Sequence, residues 1–148
     1  AQNALFLVGK WHVVKLVSGD GFTYRAENRQ KLFDKAMAEA RSESIYRTGG
    51  FTSKDSAEAA TKHTYLLKVM FDAVHTYHAN GNYTLNTWKD EEGWKPFLSK
   101  GKYTYDAATT KLLVSTPEKQ LNYWVDKVPE GIRITINSRM YMILSRVQ

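Results

Sequence analysis

Residues 131–147, Gly-Ile-Arg-Ile-Thr-Ile-Asn-Ser-Arg-Met-Tyr-Met-Ile-Leu-Ser-Arg-Val, decide the fold class. Ile132, Ile134 and Ile136 alternate with Arg133, Thr135 and Asn137. A period of two sends one set of side chains into a core and the other toward water, as in a half-buried strand. Asn137-Ser138 then turns the chain into a last strand over 139–147. The segment therefore reads as an antiparallel hairpin. The same alternation of short strand and turn continues upstream. Pro129-Glu130-Gly131 is a sharp turn after a strand at 121–128, and Pro117 to Gln120 separates that strand from one at 111–116. Asp106 to Thr110 turns back to a strand at about 97–105, which carries Tyr103 and Tyr105. Asp90 to Gly93 is a polar loop. Ahead of it, Asn80-Gly81 is the signal for a tight hairpin with positive φ at both central positions, so strands are predicted at 73–79 and 82–89.

Residues 9–18 are also β-rich and end at Gly19-Asp20-Gly21. Between this first strand and the others the pattern changes. Glu27 to Ser44 contains no Gly or Pro, and Leu32, Phe33, Ala36, Met37 and Ala40 recur at helical spacing. Thr48-Gly49-Gly50 breaks that helix. Thr52 or Ser53 caps a second helix, with Asp55 in its first turn. The second helix runs toward Met70, and residues 66–74 fit helix or strand equally. One strand before the helices and seven after them predict a mainly β fold in a single domain over 1–148. The architecture is an eight-stranded antiparallel up-and-down barrel, with a two-helix insertion (about 27–70) between the first and second strands. Closing the sheet removes its edges and leaves room for side chains or one small ligand.

The 148 residues suffice for one domain with a substantial core. No apolar run reaches the ~20 residues that span a bilayer as a helix. The absence of cysteine excludes disulfides, thiol catalysis and cysteine zinc sites. The net charge of +6 comes from scattered Lys and Arg with no run of four, which reads as a solvated surface rather than a nucleic-acid site. A start at Ala1-Gln2-Asn3, without Met, together with the lack of cysteine, leads to the expectation of a processed, secreted or periplasmic protein. Asn82-Tyr83-Thr84 matches a glycosylation triplet of a kind common by chance.

Gly9-Lys10-Trp11 at the head of the first strand resembles the Gly-x-Trp motif of the lipocalins and the wider calycin group. The second half is similar to bacterial lipocalin-like domains of Bacteroidetes. That likeness rests on Asn80-Gly81-Asn82-Tyr83-Thr84, on Gly101-Lys102-Tyr103-Thr104-Tyr105-Asp106 and on Lys111-Leu112-Leu113-Val114. The resemblance implies that Trp11 plugs the closed end of the barrel and that a basic side chain of the last strand, Arg146 rather than Arg139, packs across it. The helical insertion departs from typical lipocalins. Fatty-acid-binding proteins place a shorter helical lid there, and Arg139-Met140-Tyr141 echoes their carboxylate clamp.

Alternation predicts an inward set of Tyr83, Leu85 and Thr87; Tyr103 and Tyr105; Tyr123 and Val125; Ile132, Ile134 and Ile136; and Tyr141 and Ile143. From these come the candidate ligand-binding residues Tyr83, Leu85, Tyr103, Tyr105, Tyr123, Ile134 and Tyr141, with Trp88 and Arg139 at the mouth. Gly9, Trp11 and Arg146 are the structural, barrel-closing residues. Trp88 and Trp94 flank Asp90-Glu91-Glu92 and either gate the mouth, stack on a sugar or pack on each other. His75 and His78 pair on a helix, where His63 joins them as a metal set, but diverge on a strand. No carboxylate spacing completes a metal motif, so no metal or cofactor is assigned. No nucleophile motif, phosphate loop or carboxylate pair supports catalysis. The reading is a non-catalytic, monomeric carrier of a small hydrophobic or amphipathic molecule. The alternative is a protein-interaction or inhibitor module with a filled barrel and an interface at Trp88 and Trp94. A third reading is a barrel enzyme or haem carrier using His75 or His78.

Overall fold

A computed structural model describes residues 5–148; the Ala1-Gln2-Asn3 start lies outside them. The elements run β1 (Gly9–Val17), β2 (Thr23–Arg25), a 3-10 turn at Ala26–Asn28, α1 (Arg29–Thr48), α2 (Ser53–Phe71) and β3 (Val74–Tyr77). They continue with β4 (Asn82–Asp90), β5 (Trp94–Asp106), β6 (Lys111–Ser115), β7 (Gln120–Val128), β8 (Gly131–Asn137) and β9 (Met140–Arg146). From β3 to β9 each strand pairs antiparallel with the next. β1 pairs with β9 along Trp11–Val17 and with β3 along Gly9–Trp11, which closes an eight-stranded barrel.

The insertion differs from expectation in one respect. Its helices follow an additional short strand, β2, whose three residues face Lys15–Val17 on the edge of β1 that β3 uses lower down. The chain therefore leaves the barrel from one half of that edge and returns to the other half. Thr52 caps α2: its hydroxyl accepts from the Asp55 N–H, and the Asp55 carboxylate accepts from the Thr52 N–H, both at 3.0 Å. α2 ends at the buried Phe71, which settles the ambiguous stretch 66–74 as helix, then turn, then strand. The Arg29 guanidinium grips both oxygens of Asp72 at 2.6 and 3.0 Å and ties the start of α1 to the end of α2.

β3 has four residues and β4 has nine, with Val74 opposite Asn86. The upper part of β4 thus lacks a strand on that side, and α2 packs there instead. Tyr65 stacks on Trp94 at 5.2 Å and 3°, and the Lys68 ammonium lies 4.6 Å above Trp88. Trp88 and Trp94 are the inner surface of a helix dock; they neither pair with each other nor line the cavity.

The β3–β4 connection also departs from the expected turn. Gly81 has φ +90°, but Asn80 does not have positive φ. The Gly81 N–H donates to the His78 carbonyl at 3.1 Å, and the His78 N–H donates to the Asn82 carbonyl at 2.9 Å. This is a three-residue loop with glycine in the left-handed position, the next commonest hairpin after the two-residue form.

The end of the barrel holding the β3–β4, β5–β6 and β7–β8 turns is packed solid. Leu7, Trp11, Tyr77, Leu112, Ile132 and Leu144 are buried there. Trp11 Nε1 donates to the Leu7 carbonyl at 2.8 Å. The Arg146 guanidinium stands 4.3 Å over the Trp11 ring and donates to the Val8 and Phe6 carbonyls at 2.8 and 3.1 Å. Arg139 lies at the other end, in the β8–β9 turn. Gly9 has φ +136°, and a Cβ there would collide with Arg146.

Candidate functional site

Above this plug the barrel holds a cavity of about 500 Å³. Most wall residues on the strands follow from strand phase, and a bulge between Val13 and Lys15 brings both Val13 and Leu16 inward. Tyr83, Leu85 and Thr87 enter from β4, opposite His75 and Tyr77 of β3. Val114, Leu121, Tyr123, Ile134 and Met142 enter from β6 to β9, and Val13 and Leu16 from β1. Leu66, Val69 and Met70 of α2 cover the open end, where Leu66 is 41 % exposed. The Ser99 hydroxyl donates to Glu118 at 2.8 Å and pins the β6–β7 turn beside the opening. Lys119, in that turn, is the charged residue of the lining among the described residues, and it is solvent-exposed.

The polar groups of the interior gather at the floor. His75 Nδ1 and the Tyr83 hydroxyl are 2.8 Å apart. Tyr77 and Tyr83 rings lie 5.1 Å apart. Burial drives the His75 imidazole down to about 4, so it is neutral at physiological pH. Burial also raises the Tyr77, Tyr83 and Tyr123 phenols. The proximity of these rings adds to the effect for Tyr77 and Tyr83, because a charge on one would repel a charge on the next. The site is therefore an apolar chamber with an uncharged, hydrogen-bonding floor.

Of the residues singled out from the sequence, Tyr83, Leu85, Tyr123 and Ile134 face the cavity together. Five lie elsewhere. Tyr103 is part of the plug, donating to the His78 carbonyl at 2.7 Å and meeting Tyr77 edge-on. Tyr105 packs edge-on against Phe6 below it. Trp88 lies under α2. Arg139 is an exposed turn residue at the open end, outside the lining. Tyr141 is on the outer face, between Lys15 and Arg133. Tyr141 departs from the expected inward phase because Met140 to Leu144 is apolar at every position, so alternation is silent there. A bulge between Thr135 and Asn137 sets the register, placing Tyr141 opposite the outward Thr135 and Met142 opposite the inward Ile134. Ile143 accordingly points outward and Leu144 inward.

His75 and His78 lie on a strand and its following turn, where His78 is exposed and His75 faces the cavity. Among the described residues no three His or carboxylate side chains converge as a metal site. The sequence suggests His75 as a metal or haem ligand or an enzyme residue, and it gives Tyr77 no role. Pairing across the β3–β4 hairpin was the signal for both, since they oppose Leu85 and Tyr83. Leu66, Val69 and Met70 carried no such signal, because only docking of α2 brings them to the opening.

No protein-family model matches the chain, and no curated protein sequence matches it. Two crystal structures are similar to it. One is a lipocalin-like protein from Bacteroides uniformis, with TM-score 0.54 and 9% identity over 96% of this chain and 99% of that one. The other is a DUF4847 family protein from Bacteroides vulgatus, with TM-score 0.54 and 10% identity over 97% of this chain and 95% of that one. At such identities the likeness is one of fold. With the closed eight-stranded order and the Trp11–Arg146 plug, it makes this chain a lipocalin-like β-barrel carrying a two-helix insertion.

Proposed function

We propose that the protein binds a small hydrophobic or amphipathic molecule, non-covalently and without catalysis, inside the barrel. The observation that carries this reading is the cavity of about 500 Å³, within the range of small-molecule sites, with aliphatic walls and a few convergent polar groups. Each buried ligand methylene would contribute about 0.8 kcal/mol gross, less the cost of ordering the ligand. Among the described residues no carboxylate lines the chamber, which leaves His75 without the acidic partner that acid–base chemistry commonly uses. The competing idea of an interaction module loses its proposed interface, because Trp88 and Trp94 are engaged by α2.

The test is a tryptophan-fluorescence titration with fatty acids, retinoids and haem, run on the wild type and on Leu85→Trp. Leu85 lines the cavity wall, so an indole there occupies ligand space. Saturable binding by the wild type, weakened at least tenfold in the variant, supports the carrier reading. Binding that is indifferent to the substitution counts against the cavity as the site.

A further inference from the structure

The composition of the floor specifies the ligand further, resting on the binding role proposed above. Four polar side chains meet there, His75, Tyr77, Tyr83 and Tyr123, and each is uncharged at neutral pH. His75 and Tyr83 satisfy one another at 2.8 Å. A phenol O–H is the better proton donor, so we assign it as donating to Nδ1, which leaves the imidazole proton on Nε2. Among the described residues no protein group hydrogen-bonds the Tyr77 or Tyr123 hydroxyl, and no fully enclosed side-chain polar atom lacks a partner, so both hydroxyls open onto the cavity that these residues line. The floor thus offers a guest one N–H and two O–H donors, but no cation. The lining's charged group, Lys119, is on the exposed turn at the other end.

These facts discriminate between head groups. A carboxylate carried to the floor would lose its water with no counter-ion, a penalty of several kcal/mol per ion. A carbonyl or hydroxyl oxygen loses far less hydration and accepts the same hydrogen bonds. We infer that the cavity selects an uncharged amphipathic ligand that enters oxygen-first, with a carbonyl or hydroxyl against His75, Tyr77 and Tyr123 and its apolar body toward α2. Fatty-acid anions are then poor ligands, despite the basic surface of the protein.

Calorimetric titration at pH 7.5 with 2-undecanone and with decanoate tests this. The two share a nine-carbon tail and differ by a methyl against an anionic oxygen. The ketone is expected to bind at least tenfold more tightly. The double variant Tyr77→Phe/Tyr123→Phe is expected to weaken the ketone by about tenfold, the net worth of one or two hydrogen bonds. Its urea midpoint should be unchanged, since neither hydroxyl bonds the protein. Tyr105→Phe, in the plug beyond the cavity, should leave both affinities as they are. Decanoate binding as tightly as the ketone, and lost in Leu85→Trp, overturns the selectivity while the carrier reading survives. Ketone affinity that is unchanged in the double variant overturns the role of the floor. If neither probe binds and the fatty acid, retinoid and haem panel is also silent, the carrier reading and this inference fall together.

Discussion

Gly9, Trp11 and Arg146 show how three side chains, one of them a hydrogen atom, seal one end of a barrel. The guanidinium has to cross β1 to reach both the indole face and the Val8 and Phe6 carbonyls, and only a residue without Cβ leaves it a path. The φ of +136° adds a second demand for glycine. Gly9→Ala is therefore expected to destabilise the protein by about 1–3 kcal/mol, read as a fall in the urea midpoint. Part of that loss is the collision with Arg146. The same substitution should cost less in an Arg146→Ala background, and full additivity would show that the two residues do not interact. This seal was legible through the resemblance of Gly9-Lys10-Trp11 to the lipocalin motif, with Arg146 matched by its place at the end of the last strand. The lining was legible only in part. Tyr83, Leu85 and Ile134 follow from alternation, because polar neighbours mark the other face of their strands; Tyr123 follows from alternation with Asn122 on one side only, since its other neighbour is Trp124. Tyr141 does not, because β9 is apolar on both faces.

Helix α2 does the work of a missing strand. β3 stops four residues short of the end of β4, and the helix seats Tyr65 and Lys68 on the Trp94 and Trp88 rings that a longer strand would have left to solvent. A stacked aromatic pair contributes about 0.5–1.5 kcal/mol beyond its buried area. Tyr65→Ala is expected to raise amide exchange throughout Ser53–Phe71 while β5 to β9 keep their protection. Equal loss of protection across the barrel would mean that helix and barrel unfold as one unit. The ends of α2 were readable, in Thr52 with Asp55 at the start and in the change of period near residue 72. Its destination was not. Nothing in an Ala-rich helix tells whether its apolar side meets another helix, a sheet edge or a ligand.

Across the whole molecule, a basic surface surrounds a neutral interior, and His75 couples the two to pH. Its imidazole titrates near 6.5 when unfolded and at about 4 when buried. The unfolded chain therefore binds a proton that the native state refuses between these values. The stability associated with neutral His75 is complete above pH 6.5, declines as pH falls and is gone below about 4. The shift corresponds to about 3 kcal/mol. Urea midpoints of wild type and His75→Gln, compared from pH 7.5 to 4, should diverge at the high end and converge in acid; parallel curves would show that His75 is solvated. The eight barrel strands, their order and the helical insertion were determined by the sequence alone, because each is encoded locally, in a period, a turn or a cap; the short β2 was not, and the plug followed only from the resemblance of Gly9-Lys10-Trp11 to the lipocalin motif. Whether the barrel is hollow was decided by tertiary structure. The volume inside depends on where the closing β1–β9 seam sets the register, where the bulge in β8 shifts the phase and where α2 comes to rest. Those are sums over many weak contacts between distant segments, and no single stretch of the chain records them.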